Sequence, residues 1–217
     1  RQVRILALES LAFEEEYRDE CTMPLLCLCK EYLSEQPGDV SVLKTRARLL
    51  NRLERYEEAE VDLTAVLSIS PEDCEALELR SWAQYSSERN EAALEDIERS
   101  LRVKGDHKKG FFIKGLILLD AGFYRDAIAS FDESEKSGIT SSPLYVNRAR
   151  SYFLLGFLEE AIKDLGKVID QDQSHGPSRL QKALCLSFLG RWSESEALIE
   201  GMEHIPSAEE NWVLMRL

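Results

Sequence analysis

Small and large apolar positions recur along this chain with a fixed period. Alanines stand at Ala59, Ala93, Ala127 and Ala161, each 34 residues after the last, and the next step reaches another small residue, Ser195. A second small column lies 12 residues earlier, at Ala47, Ser81, Gly115, Ala149 and Ala183. A large apolar column lies four residues later, at Leu63, Ile97, Phe131, Leu165 and Ile199. Between the two small columns Glu54, Glu88, Gly122, Gly156 and Gly190 mark a turn, followed two residues on by Tyr56, Asn90, Tyr124, Leu158 and Trp192. This spacing predicts pairs of antiparallel helices joined by tight turns. Such helices approach closely only where side chains are small, and a lone pair cannot bury its apolar stripe, so neighbouring pairs must stack.

Composition points the same way, since Gly and Pro are scarce and β-branched residues thinly spread, which favours helices over a sandwich or barrel. The runs Gly122-Phe123-Tyr124-Arg125-Asp126-Ala127-Ile128 and Gly156-Phe157-Leu158-Glu159-Glu160-Ala161-Ile162 resemble the central signature of the tetratricopeptide repeat. The family's repeat-closing proline is present at Pro37 and Pro71 and missing at Gly105, Ile139 and Gln173. The resemblance implies an all-α fold, a right-handed α-solenoid of tetratricopeptide helix-turn-helix repeats. The units expected are 40–73, 74–107, 108–141, 142–175 and 176–209. Residues 1–39 are expected to form a degenerate N-terminal repeat with its second helix at Pro24–Ser34, and 210–217 the start of a further helix, truncated. Helix caps are expected at Ser70-Pro71-Glu72-Asp73, Ser142-Pro143 and Ser207-Ala208-Glu209-Glu210. Arg1 is not an initiator methionine, so the chain reads as a piece of a larger protein.

A charged column accompanies the apolar ones. The residue before the earlier small column is always basic: Arg46, Arg80, Lys114, Arg148 and Lys182. Sixteen residues later stand Asp62, Asp96, Ser130, Asp164 and Leu198, with arginine only where aspartate answers it. Helices reversing near the midpoint bring these positions together. Structural ion pairs Arg46–Asp62, Arg80–Asp96 and Arg148–Asp164 are therefore expected, since a planar guanidinium suits a carboxylate.

No catalytic constellation, metal site or cofactor is expected. His107, His175 and His204 lie far apart in register, and acidic clusters such as Glu14-Glu15-Glu16 read as solvated helix faces. A formal charge of −13 opposes nucleic-acid binding, which needs a basic footprint, and disfavours an anionic membrane surface. No apolar run approaches a membrane span, so no membrane insertion is expected. Cys21, Cys27, Cys29, Cys74 and Cys185 follow no framework spacing and read as small thiols in a reducing compartment. A cytoplasmic protein, with the nucleus as an alternative, is expected.

The resemblance implies that first helices line a concave groove for a protein or peptide partner. Projected onto this chain, that groove takes Lys44, Arg48, Asn51 and Arg52 from the first unit. It continues with Trp82, Tyr85, Phe112, Ile113, Leu116, Asn147, Arg150, Phe153 and Phe188. A basic entrance and an aromatic middle suit an extended or helical segment with apolar anchors and acidic residues toward Lys44. Some repeats, such as Val146-Asn147-Arg148-Ala149 with Ala161-Ile162-Lys163-Asp164, resemble those of Hsp70 and Hsp90 co-chaperones, which makes a chaperone an alternative partner. Those proteins clamp a C-terminal carboxylate with five polar ligands. Lys44 and Lys109 match that clamp, while Arg48, Leu79 and Ile113 depart from it. A regulatory or oligomerising region of a larger enzyme or complex is a further alternative.

Overall fold

A computed structural model describes residues 18–103 and 108–200. Among the described residues eleven helices follow one another without a strand. They are α1 (Arg18–Glu35), α2 (Val40–Arg52), α3 (Tyr56–Ile69), α4 (Cys74–Ser86), α5 (Asn90–Arg102), α6 (Lys108–Asp120), α7 (Tyr124–Lys136), α8 (Ser142–Leu154), α9 (Leu158–Gln171), α10 (Gly176–Phe188) and α11 (Trp192–Ile199). The chain divides into two compact units, residues 1–113 and 114–217, and the division falls within α6.

Within the first unit, hairpins α2/α3 and α4/α5 pack on one another, and α1 packs on α2. Their core joins Leu25, Leu26 and Cys29 of α1 to Leu43, Ala47 and Leu50 of α2, Leu63 and Val66 of α3, and Leu77 of α4. The second unit repeats the scheme with α7 on α8, hairpin α8/α9, α9 on α10, and hairpin α10/α11. One of its cores gathers Ala149, Ala161, Leu165, Cys185 and Leu186.

Five turns between paired helices share one geometry. The left-handed residues are Glu54, Glu88, Gly122, Gly156 and Gly190, with φ of 58°, 60°, 83°, 79° and 73°. In each, the next amide donates to the carbonyl five residues back, as in Arg55 N to Leu50 O and Phe157 N to Tyr152 O, both 2.9 Å. The left-handed residue's own amide donates three residues back, as in Gly156 N to Phe153 O at 2.9 Å. This Schellman pair satisfies carbonyls that a helix end would otherwise orphan. Glycine enters that conformation freely, whereas Glu54 and Glu88 hold it at a cost on the order of 1 kcal/mol each.

Helix starts differ in detail from the expectation. Ser70 ends α3, and it is the Asp73 carboxylate that accepts from Ala76 N at 2.9 Å, just as Asp39 accepts from Val42 N at 3.1 Å. A side chain caps only when its residue immediately precedes the first helical amides, and Pro71 and Glu72 still lie in the connection. Ser141, with no side-chain cap bond, precedes α8, and Pro143 sits in its first turn. Helix α1 runs through Pro24 and begins at Arg18, so the proline forfeits one backbone bond instead of opening the helix. The expected cap at Ser207 and the helix start at 210–217 lie outside the described residues.

Small and large columns interlock. Ser81 and Ser195 occupy small positions by donating to the carbonyls of Ala93 and Ala183, at 2.8 and 2.9 Å, so neither hydroxyl is left bare. Gly115 answers the bulkiest member of the large column: a Cβ there would lie 2.5 Å from the fully buried ring of Phe131. Gly115→Ala should therefore destabilise the protein by about 1–3 kcal/mol in urea denaturation, through overpacking. Adding Phe131→Leu should recover part of that loss, with a coupling of roughly 0.5–3 kcal/mol. An alanine variant as stable as the wild type would refute this reading of the contact.

Candidate functional site

The charged column forms forks. Arg46 donates from Nε and Nη2 to Asp62 at 2.7 and 2.5 Å, and Arg80 does the same to Asp96 at 2.6 and 2.8 Å. Arg148 donates to Asp164 at 2.6 and 2.9 Å, with both side chains buried. The third nitrogen reaches back to the preceding hairpin. Arg80 Nη1 donates to Thr64 at 3.2 Å, and Arg148 Nη1 to Asp132 and Glu135, both at 2.7 Å. Each of these two arginines thus ties together three helices, which no single pair of columns foretells. These residues are engaged in holding helices and are not presented to a ligand.

Around Arg148 the second unit builds a dense network. Lys167 Nζ donates to Glu135 at 2.9 Å, stands 3.3 Å from Asp164, and lies 4.3 Å from the centre of the Tyr145 ring. Tyr145 donates its hydroxyl to Glu135 at 3.0 Å. Burial alone would raise the Glu135 carboxyl, but hydrogen bonds from Lys167, Arg148 and Tyr145 outweigh it and hold the group down to about 2. Burial likewise opposes the charge on Arg148, and Asp164 and Glu135 more than restore it.

The expected groove residues divide by environment. In the first unit, Lys44 Nζ lies 2.9 Å from both Asp73 and Glu75, and Arg48 Nη2 lies 2.6 Å from Glu75. The basic entrance is therefore already answered by carboxylates at the start of α4. Lys44 keeps its proton more firmly than usual, because Glu75 and Asp73 outweigh the burial that opposes its charge. Asn51 is buried and donates to Leu79 O at 3.0 Å, joining α2 to α4, so it packs helices instead of facing a partner. Ile113 is buried as well. Arg52 is exposed, Phe112 is half-buried, and Trp82 and Tyr85 are half-buried with ring centres 5.8 Å apart at 51°.

In the second unit, Leu116 is buried and belongs to packing. Asn147 donates to Pro143 O of its own helix at 2.8 Å, and Arg150 Nη1 lies 3.9 Å from Asp120. Phe153 of α8 meets Phe188 of α10 with ring centres 5.9 Å apart at 52°. Beneath Phe153 is a crevice bounded by Ala149, Leu165, Leu184 and Cys185, with Arg150 and Gln181 at its edge. Burial pushes the Cys185 thiol up to about 11, so it stays protonated and serves as apolar lining. Residues Glu75 and Gln181 escaped a reading confined to one column per helix. The signal for Glu75 is a first-turn acid one period after two basic residues.

Among the described residues no cluster of three or more His, Cys, Asp or Glu suits a metal ion, and no helix is long and apolar enough to cross a membrane.

Solved structures share this arrangement. PilW, a type IV pilus biogenesis factor, superposes with a TM-score of 0.78 over 99% of both chains at 20% identity. YrrB, described as a TPR protein with an unusual peptide-binding site, gives 0.69 over 87% of this chain and 98% of its own at 15% identity. At such identity the likeness establishes the fold alone. A family model described as tetratricopeptide repeat matches residues 112–177. Tetratricopeptide repeat protein 13 of Homo sapiens is 28% identical over 117 residues, 54% of this chain. This chain belongs to the tetratricopeptide-repeat superfamily. A DnaJ homolog subfamily C member 7 homolog of Dictyostelium discoideum is 24% identical over 169 residues, 70% of the tetratricopeptide chain. The matches span only 14% and 31% of those two relatives.

The low Glu135 value gives a pH signature for the tetratricopeptide stack. A carboxyl held at about 2 when folded, against an ordinary 4.5, contributes stability that is fully present above pH 4.5. That contribution is lost as pH falls toward 2. Melting temperatures of the wild type and Glu135→Gln should therefore differ most near neutrality and converge between those two values. A gap that stays constant down to the lower value would refute the network's role.

Proposed function

We propose that this tetratricopeptide chain is a non-catalytic scaffold that holds a peptide or helix of a partner protein against its first helices. Tetratricopeptide folds are protein–protein interaction scaffolds, and the refinement lies in where the contact is made. The observation that carries it is the Phe153–Phe188 pair over the crevice between α8 and α10, with Phe188 66% exposed. Rings left in water beside an apolar crevice with an arginine at its edge are the residue types of interface hot spots. Trp82, Tyr85 and Phe112 offer the first unit a comparable aromatic surface. The peptide-binding site named for YrrB supports the same use of the fold. Because Glu75 already engages Lys44 and Arg48, selection rests on apolar anchors more than on acidic residues in the partner. The free thiols of Cys27, Cys29, Cys74 and Cys185 suit a reducing compartment, and the cytoplasm is our placement.

The likeness to a DnaJ homologue over 70% of the chain favours a second reading, a chaperone-associated module. The occupied Lys44 and the departures at Arg48, Leu79 and Ile113 weigh against a carboxylate clamp. Titration of two labelled peptides separates the readings, one with Leu and Phe anchors at helical spacing and one with an acidic chaperone C-terminus. The anchor peptide should bind and lose about tenfold or more in affinity with Phe153→Ala plus Phe188→Ala. If that pair and Trp82→Ala plus Phe112→Ala both leave affinity unchanged, the groove assignment is wrong. Strong binding of the acidic peptide, abolished by Lys44→Glu, would put the chaperone reading first.

A further inference from the structure

The residue after each left-handed turn position is Arg55, Arg89, Phe123, Phe157 and Arg191. The three arginines each reach a carboxylate on a second helix. Arg55 Nε lies 2.6 Å from Glu58, Arg89 Nη1 lies 3.1 Å from Glu60, and Arg191 Nε lies 2.6 Å from Glu194. At the two intervening turns the arginine is replaced by phenylalanine, and Phe123 and Phe157 stand 58% and 42% exposed. Leu154, Leu189 and Trp192 are exposed beside these turns as well, Trp192 at 64%. All five apolar side chains belong to the second unit. Consecutive turns there are in contact, because Arg191 Nη1 also lies 3.3 Å from Glu159 at the start of α9.

The rim of this edge is acidic. Asp120, Asp126, Glu159, Glu160 and Glu194 surround it, against Arg125 and Arg191, and the Arg191 guanidinium is already engaged by Glu194 and Glu159. From this juxtaposition we infer that the turn edge of residues 114–217 is a second docking surface. Its occupant is a segment of a protein partner that sets lysine or arginine beside large apolar side chains. Apolar anchors cover Phe157 and Trp192, while the cations meet the rim carboxylates. Sign decides among the other occupants. Nucleic acid and anionic membrane would be repelled, and a second copy docked edge to edge would set the same acids against themselves. The surface lies on the turns, so it stands or falls separately from the crevice between α8 and α10.

The test uses two synthetic 16-residue peptides with one Leu/Trp pattern, carrying lysine or glutamate at every polar position. The lysine peptide should bind the full chain and the glutamate peptide should not. Phe157→Ser plus Trp192→Ser leaves all charges in place and should weaken binding at least tenfold, with the circular-dichroism melt unchanged because both residues are exposed. Glu159→Lys plus Glu160→Lys should reverse the preference between the peptides, and this holds the inference to account even if the serine variant folds poorly. Phe153→Ala plus Phe188→Ala should leave lysine-peptide binding unaltered, which keeps the edge distinct from the crevice. Equal binding of both peptides, or undiminished binding by a well-folded serine variant, would overturn the inference. So would self-association that the serine variant abolishes while the lysine peptide fails to bind.

Discussion

Close approach of two helices across a tight turn is the constraint on which the molecule depends. It admits only small residues at Ala47, Ser81, Gly115, Ala149 and Ala183, and at Ala59, Ala93, Ala127, Ala161 and Ser195. The room so made is filled from the large column, and the filling is adjusted locally: Phe131 stands against Gly115, where other units pair a smaller residue with alanine or serine. The same approach forces the chain to reverse through one left-handed residue. Glu54 and Glu88 accept backbone strain there because the packing of the two helices it joins outweighs about 1 kcal/mol.

Burying arginine–aspartate forks is costly in itself, and a well-packed apolar pair can be as stable. What the forks add is alignment. A guanidinium with two nitrogens on Asp164 and a third on Asp132 and Glu135 has its best geometry in only one placement of α7, α8 and α9. Apolar stripes tolerate sliding far better, since one methyl group replaces another at little cost. The small-residue columns therefore set how near the helices come, and the forks set which residue faces which.

Legibility followed the same division. The hairpins could be read from the sequence because each is encoded within one 34-residue unit, by residues that repeat in type. The forks could be read because their partners lie 16 residues apart in that unit. Contacts between successive units were hidden. Glu75 answers Lys44 from 31 residues away and Asn51 reaches Leu79 O from 28, and neither pairing repeats along the chain. Positions read as groove from one helix alone therefore included Asn51, Ile113 and Leu116, which the neighbouring helices cover. Pro24 misled for a related reason. Proline marks a helix start by local preference, yet the burial of Leu25, Leu26 and Cys29 against α2 and α3 holds α1 together across it.

A stacked fold leaves its regular positions little freedom for recognition, because packing and ion pairing have already claimed them. Specificity then has to come from departures. Phe188 extends from α10 where the unit before has Leu154 and the earlier ones Arg52, Ser86 and Asp120. Phe123 and Phe157 stand where other turns keep arginine pinned to glutamate. A charged side chain at such a turn is satisfied by its neighbour and by water, so replacing it with an exposed ring brings the isolated unit no gain in stability. An aromatic in that place has its energetic return only when another surface removes it from water. The exposed rings of residues 114–217 are thus the part of the molecule that folding by itself does not explain, and a bound partner supplies the missing burial.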